Sequence, residues 1–319
     1  MSTFKIEDHY TLLTDYEGNS LRTFYIDKKG YIWFGTIDGI YIFDPTDGKL
    51  SHYKHSRTDP FSLPNNSIWE ISEDRQSNVW IGTYSGTLCY VNIDENNAFK
   101  TYHPQNSGLN HTPVSAFAED QQYLWVGTEG GGINRMNKAT GEFSYITSAN
   151  SITSNNIKSL ITDAGHNLWI STFMGGLDLY NVGRQKVTNF KHTKGAPHSL
   201  LVNDVRKTIL EGDSGMWVAY QYQKAEVSYF SFREESFTHF SLDSISNNSY
   251  LFDILRQGEK TLWAISNETL YRLDIDKHVV EKMIPNDSTY LGLFTFCLDD
   301  SGNIWIGTCL LYTSPSPRD

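Results

Sequence analysis

The chain has 319 residues, 39% hydrophobic and 20% charged, with a formal net charge of −11. That acidic balance, with no Lys/Arg cluster, argues against a nucleic-acid partner; no apolar run approaches the roughly 18–20 residues that span a bilayer. The N-terminal Met1-Ser2-Thr3-Phe4-Lys5-Ile6-Glu7-Asp8 lacks the apolar centre of a secretory signal, so the chain as written is expected to be soluble and not exported.

In chain order, the first predicted element is Phe4–Leu13, where Phe4, Ile6, Tyr10 and Leu12 keep one parity although Asp8 interrupts them. After it comes a strand at Leu21–Tyr25 and then the phrase Gly30-Tyr31-Ile32-Trp33-Phe34-Gly35-Thr36. The phrase recurs with its tryptophan at Trp33, Trp80, Trp125, Trp169, Trp217, Trp263 and Trp305, at intervals of 42 to 48 residues, with Trp69 off the series. A period in the forties marks a repeat fold, which overrides the length prior of about two domains. An acidic residue stands six positions before most of these tryptophans (Asp27, Asp74, Asp163, Glu211, Asp299); Asp120 stands five before, and Gln257 breaks the pattern.

The second copy reads as four short strands, Ser67–Glu73, Val79–Thr83, Thr87–Ile93 and Phe99–His103, rich in Ile, Val, Tyr, Phe and Trp and bounded by turn formers. The acid suits the turn between the first and second strands (A and B). Glycines such as Gly39, Gly132 and Gly176 suit the tight turn between the second and third (B and C). Asp44, Asn92, Asn137, Asn181 and Asp274 close strand C in the same chemical way. No helical periodicity competes. Units of this kind are the blades of a β-propeller. The expectation is therefore an all-β, seven-bladed β-propeller of four-stranded antiparallel blades over residues 3–312, with the tryptophans filling the space between blades. Each buried indole would remove about 150–250 Å² from water, worth at most roughly 4–6 kcal/mol. Blades five and six, around Trp217 and Trp263, are the most worn.

The seventh blade is predicted to take A from Tyr290–Leu298, B from Asn303–Thr308, a weak C near Leu310–Tyr312, and its fourth strand from the N-terminal Phe4–Leu13, closing the ring and removing its open edges. The tail at 313–319, with two prolines in three residues, fits no strand and reads as foreign or disordered.

Catalytic and metal motifs are not found, and no cofactor is expected. Cys89, Cys297 and Cys309 fall in different blades without a CxxC pair, giving neither a disulfide framework nor a zinc site. His52 and His55, three apart on a predicted strand, face opposite ways. The Asp-x-x-Gly turns offer one carboxylate each where calcium wants six to eight oxygens. Gly130-Gly131-Gly132 is a hairpin turn with no helix behind it to cradle phosphate.

Function in a rigid ring is expected on the face where strand D leads to A and B leads to C, since loops there are the variable part. The candidate ligand-binding residues are Tyr84, Glu129, Phe173 and Met174 in the B–C turns of blades two to four, with Tyr220 and Tyr222 where blade five departs from the repeat. Aromatic and amide side chains around a mouth suit stacking on sugar rings and bonding to hydroxyls.

The unit Asp…Gly-x-Ile/Leu-Trp-Ile-Gly-Thr-x-x-Gly-Gly-Leu-x-x-Tyr-Asp/Asn, with the phrases Leu63-Pro64-Asn65-Asn66-Ser67-Ile68 and Ile152-Thr153-Ser154-Asn155-Asn156-Ile157, resembles the two-component regulator propeller repeat. The resemblance covers roughly residues 3–311 and is weak in blades five and six. It implies the periplasmic sensor part of a hybrid two-component regulator of Bacteroidetes, non-enzymatic, that senses glycan fragments. A second propeller, a sandwich domain, a membrane helix, a kinase and DNA-binding parts would lie outside this chain. No ligand residue carries over by motif, because the motif residues are structural. Two other readings are an enzyme similar to streptogramin lyase, which would need converging histidine, glutamate and magnesium at the mouth, and an interaction scaffold of WD40 or kelch type, against which the WD dipeptide is absent.

Overall fold

The computed structural model describes residues 2–4, 21–84, 87–92, 96–102, 107–221, 225–243, 250–267, 269–285, 292–299 and 301–308. Within them an acid placed ahead of the tryptophan, replaced by Gln257 in blade six, organises every repeat. In blade one, strand A (Leu21–Ile26) ends at Asp27, whose Oδ1 accepts the backbone N–H groups of Lys29 and Tyr31 at 3.0 and 2.9 Å. That side-chain turn reverses the chain into strand B (Ile32–Thr36). The second oxygen, Oδ2, accepts the indole N–H of Trp33 at 2.9 Å. The same indole bond forms in all seven copies: Trp80 to Asp74 at 2.8 Å, Trp125 to Asp120 at 3.0 Å, Trp169 to Asp163 at 3.1 Å, Trp217 to Glu211 at 2.8 Å, Trp263 to Gln257 at 2.8 Å and Trp305 to Asp299 at 3.0 Å. Gln257, the exception in the sequence pattern, does the same work with its amide oxygen.

Six antiparallel four-stranded blades follow one another. Strands C and D of blade one are Gly39–Asp44 and Lys49–Tyr53. Blade two is Ile68–Glu73, Val79–Thr83, Leu88–Asn92 and Asn96–Tyr102, close to the strands expected from its sequence. Blade three is Val114–Glu119, Tyr123–Thr128, Gly132–Asn137 and Phe143–Ile146. Blade four is Ile157–Thr162, Leu168–Thr172, Gly176–Asn181 and Lys186–Phe190. Blade five is Val205–Glu211, Gly215–Tyr220, Glu226–Ser231 and Ser236–Ser241. Blade six is Leu251–Gln257, Thr261–Ser266, Leu270–Asp274 and Val279–Pro285. In strand C, Asp44, Asn137, Asn181 and Asp274 close the strand by accepting turn N–H groups, as expected.

The described residues thus hold six four-stranded blades, not the seven expected. The seventh position is filled by a two-stranded hairpin, Leu293–Leu298 and Ile304–Thr308, which agrees with the expected A and B strands of that blade. The expected strand at Leu310–Tyr312, the remainder of Phe4–Leu13 and the tail lie outside the described residues. The described N-terminal segment, Ser2–Phe4, does not supply the fourth strand of the seventh unit. It pairs in parallel with strand D of blade six, Thr3 opposite Ile284, as a fifth strand of that sheet. The outermost strand of blade six leaves an unpaired edge, and a passing extended segment satisfies it.

The hairpin nonetheless closes a ring. Trp33 packs with Ile68, Ile71 and Ile81 of blade two, and each later tryptophan packs on the blade that follows it. Trp263 packs with Leu293 and Phe296 of the hairpin, and Trp305 with Leu21, Ile32 and Phe34 of blade one. Seven separate inter-blade cores result, with the tryptophans buried in six and Trp305 half-buried in the seventh. The expectation that the indoles fill the space between blades holds. The glycine of the Trp-Ile-Gly-Thr phrase has a matching role. A Cβ on Gly82 would stand 2.7 Å from Cγ1 of Val114, and one on Gly127 would stand 2.6 Å from Cγ2 of Ile157, each the first residue of the next blade's strand A. Gly307 of the hairpin meets Leu21 in the same way.

Candidate ligand-binding face

Every strand A carries a β-bulge after its first residue: the pairing register slips between Leu21 and Thr23, Ile68 and Glu70, Val114 and Ala116, Ile157 and Ser159, Val205 and Lys207, Leu251 and Asp253, and Leu293 and Thr295. A bulge leaves one residue unpaired and re-aims its side chain. The bulged residues of the six full blades are Arg22, Trp69, Ser115, Lys158, Arg206 and Phe252. They lie beside the B–C turns, because the residue after strand B bonds back to the residue preceding or near the start of strand A: Tyr84 N–H to Ser67 O at 2.9 Å, Phe173 N–H to Asn156 O at 3.0 Å and Gln221 N–H to Asp204 O at 3.0 Å. Bulge and turn together form a rim at one end of the ring.

The rim side chains link neighbouring blades. The guanidinium of Arg22 lies 5.0 Å from the ring of Trp69 and 5.7 Å from that of Tyr84, and the two rings are 5.4 Å apart. Such cation–π contacts contribute about 0.5–2 kcal/mol each. Burial holds the Arg22 pKa below its usual value, with the Tyr84 hydroxyl acting in the opposite sense. Lys158 pairs with Glu129 and lies 5.6 Å from the ring of Phe173. Arg206 donates from Nε to the carbonyl of Phe252 at 2.7 Å and sits 5.6 Å from its ring. Two buried polar atoms in this rim have no hydrogen-bond partner among the described residues, Nη1 of Arg22 and Oε1 of Gln221.

One residue deeper along strand A, Glu70 faces the far side of the ring. Burial pushes its pKa up to about 7; Lys207 opposes the rise, Asp253 adds to it and Arg206 opposes it. Lys207 pairs with Asp253, whose Oδ2 also accepts from Thr295 Oγ1 at 3.2 Å. These groups belong to blades two, five and six and to the hairpin, so they face one another across the axis. Glu70 is only half-buried by accessible area.

The residues singled out from sequence divide. Tyr84 is 53% exposed on Trp69, Glu129 and Phe173 are joined through Lys158, and Met174, 69% exposed at φ 60°, donates its backbone N–H to Asp204 Oδ1 at 2.6 Å. Tyr220 is not at the face. It is 1% exposed and takes the place of the buried threonine of other blades; its hydroxyl donates to Ser228 Oγ at 2.7 Å, and that atom is 2.7 Å from Nδ1 of His239. With Nε2 of His239 donating to Pro197 O at 3.0 Å, Nδ1 is the acceptor and Ser228 its donor. The face position of blade five is Gln221. Tyr222 lies outside the described residues. Sequence reasoning missed Arg22, Trp69, Lys158, Arg206 and Gln221; their one signal was Trp69, the tryptophan off the repeat series.

A second concavity, about 320 Å³ and lined by Tyr31, Asp44, Asp47, Lys49, Tyr53 and Phe99 among others, opens between blades one and two at the A–B and C–D turns, away from the rim. His52 and His55 bind separate carbonyls, of Asp38 and Leu63. Among the described residues no three His, Cys, Asp or Glu side chains converge in a way that could hold a metal ion, and no helix is long and apolar enough to cross a membrane.

The pattern of the two component regulator propeller matches residues 15–38 and 62–85. The chain is 27% identical over 201 residues to histidine kinase P4 of Formosa agariphila, a match covering 58% of this chain and 14% of the kinase. Its fold is similar to the extracellular domain of a putative hybrid two component system of B. thetaiotaomicron (TM-score 0.75, 24% identity, 92% of this chain and 39% of that one). It is also similar to virginiamycin B lyase of Staphylococcus aureus (TM-score 0.71, 15% identity, 91% of this chain and 92% of that one). At these identities the solved structures speak for the fold alone. The chain spans well under half the length of the kinase and of the extracellular domain it matches. The two matched segments contain the indole–acid turns of Asp27 with Trp33 and Asp74 with Trp80 and the inter-blade glycines Gly35 and Gly82, and in them the chain resembles the two component regulator propeller.

Proposed function

We propose that this ring is the ligand-sensing module of a hybrid two-component regulator, facing the periplasm, and that it binds a saccharide at its rim without converting it. The observation that carries this reading is the repeated bulge, which sets an aromatic or charged side chain beside the B–C turn in five of the six full blades, blade three having Ser115. Aromatic faces such as Trp69, Tyr84 and Phe173 suit the apolar faces of sugar rings, and Glu129, Lys158 and Gln221 suit their hydroxyls. Met174 stands at the same rim, and Tyr222 follows Gln221 in sequence. Tyr220 supports the rim from beneath. Signalling would proceed by population shift: ligand bound better by one arrangement of this ring and the neighbouring parts of the regulator would favour that arrangement. The resemblance of the fold to an extracellular domain of such a system supports the location and the partners.

The test is calorimetric titration of the chain with plant, host and fungal oligosaccharides, with product analysis of each mixture. Binding without turnover is the expected result. Metal-dependent turnover of any substrate would favour the lyase-like alternative, and silence towards every glycan would overturn the sensing of saccharides.

A further inference from the structure

We infer that Arg22, Trp69 and Tyr84 form a subsite for a carboxylate-bearing sugar, so that the ligand is an acidic saccharide. The inference rests on the reading of the ring as a saccharide sensor.

Arg22 is charged, half-buried and held between blades by two aromatic rings rather than by an acid. No ion pair to it exists among the described residues, although the chain as a whole carries 37 acidic against 26 basic side chains. Its Nη1 is buried with no acceptor. A buried donor left unpaired costs about 1–3 kcal/mol, more when charged, and a guanidinium presents a planar fork that matches a carboxylate. A carboxylate arriving at Arg22 would remove that cost and form charge-assisted bonds. Trp69 and Tyr84, 5.0 and 5.7 Å from the guanidinium, then offer ring faces to the sugar that bears it. The other bulge cations on the same rim are Lys158, which is paired with Glu129, and Arg206, which donates to the carbonyl of Phe252. Gln221 Oε1, unsatisfied on blade five, waits for a donor such as a hydroxyl further along an oligomer.

The experiment titrates the full chain with galacturonate dimers to tetramers and with the same oligomers after reduction of their carboxyl groups. Expected are binding of the acid forms, at least tenfold weaker binding of the reduced forms, and affinity that falls as NaCl rises from about 50 to 300 mM. Arg22→Gln should lose tenfold or more, and Tyr84→Ala, an exposed position that leaves the core intact, should lose several-fold; Arg233→Gln, exposed elsewhere, should bind as the parent does. Equal affinity for acid and reduced oligomers, or an unchanged Kd in both Arg22→Gln and Tyr84→Ala, overturns the subsite while leaving saccharide sensing intact. Neutral glycans bound in preference to acidic ones do the same. Silence towards both acid and neutral oligomers overturns the subsite together with the sensing reading beneath it.

Discussion

Asp120 performs two tasks with one carboxylate. Its Oδ1 accepts the N–H groups of Gln122 and Tyr123 at 2.8 and 2.7 Å, and its Oδ2 accepts the indole of Trp125, which is fully buried. Turn and core are thereby tied at one residue, and the carboxylate is desolvated but saturated with donors. Hydrogen bonds to a charged group contribute about 1.5–3 kcal/mol each in net stability when lost singly. Asp120→Ala, which leaves a buried indole N–H unpaired and the turn uncapped, should therefore cost about 2–4 kcal/mol. Asp120→Asn, which keeps an acceptor for one of the two sides, should cost about half as much. Urea denaturation of the two variants measures both; an alanine variant as stable as the parent would mean that the indole bond contributes nothing. Blade six shows that charge is dispensable, since Gln257 serves Trp263 with an amide oxygen at 2.8 Å.

At the scale of elements, the strand B glycine and the first residue of the next strand A form the unit of blade docking. Gly127→Val should overpack against Ile157, whose Cγ2 already lies 2.6 Å from where a Cβ would stand, and should cost about 1–3 kcal/mol. Combining it with Ile157→Ala should recover part of the loss, which a double-mutant cycle read by thermal melting would reveal; additive losses would show that the two positions do not interlock. Blade six has Ile265 in place of the glycine, buried against Leu293, so the space can be divided differently when both partners change. Strands, turns and inter-blade tryptophans could be read from the chain because each depends on residue type at a fixed offset. The rim could not, because the bulge that presents Arg22, Lys158 and Arg206 is a slip in backbone register with no residue signature of its own. Tyr220 was misplaced for a related reason: blade five lacks Gly-Thr, and without that marker the turn appears to begin one residue early. Of the expected N-terminal strand Phe4–Leu13 only Phe4 falls among the described residues, where it pairs with Pro285 of blade six.

At the scale of the whole ring, Glu70 reports on closure. The groups that shift it, Lys207, Asp253 and Arg206, sit on blades five and six, far along the chain from blade two, and they face it only when the ring is shut. Its pKa is raised to about 7, from an ordinary 4.5, chiefly by burial. Folding therefore favours the protonated form. The contribution of Glu70 to stability is fully present below about 4.5 and is lost as pH rises through about 7. A shift of this size corresponds to at most about 3 kcal/mol, and nearer 1 kcal/mol because Glu70 is only half-buried by accessible area. Glu70→Gln keeps the shape and removes the titration. Relative to the parent, it should gain stability progressively between pH 4.5 and 7 and hold that gain at pH 8, by several degrees in Tm at most. Melting curves of both proteins over pH 4 to 8 provide the measurement. Parallel curves across that range would mean that Glu70 is ordinarily hydrated in the folded ring.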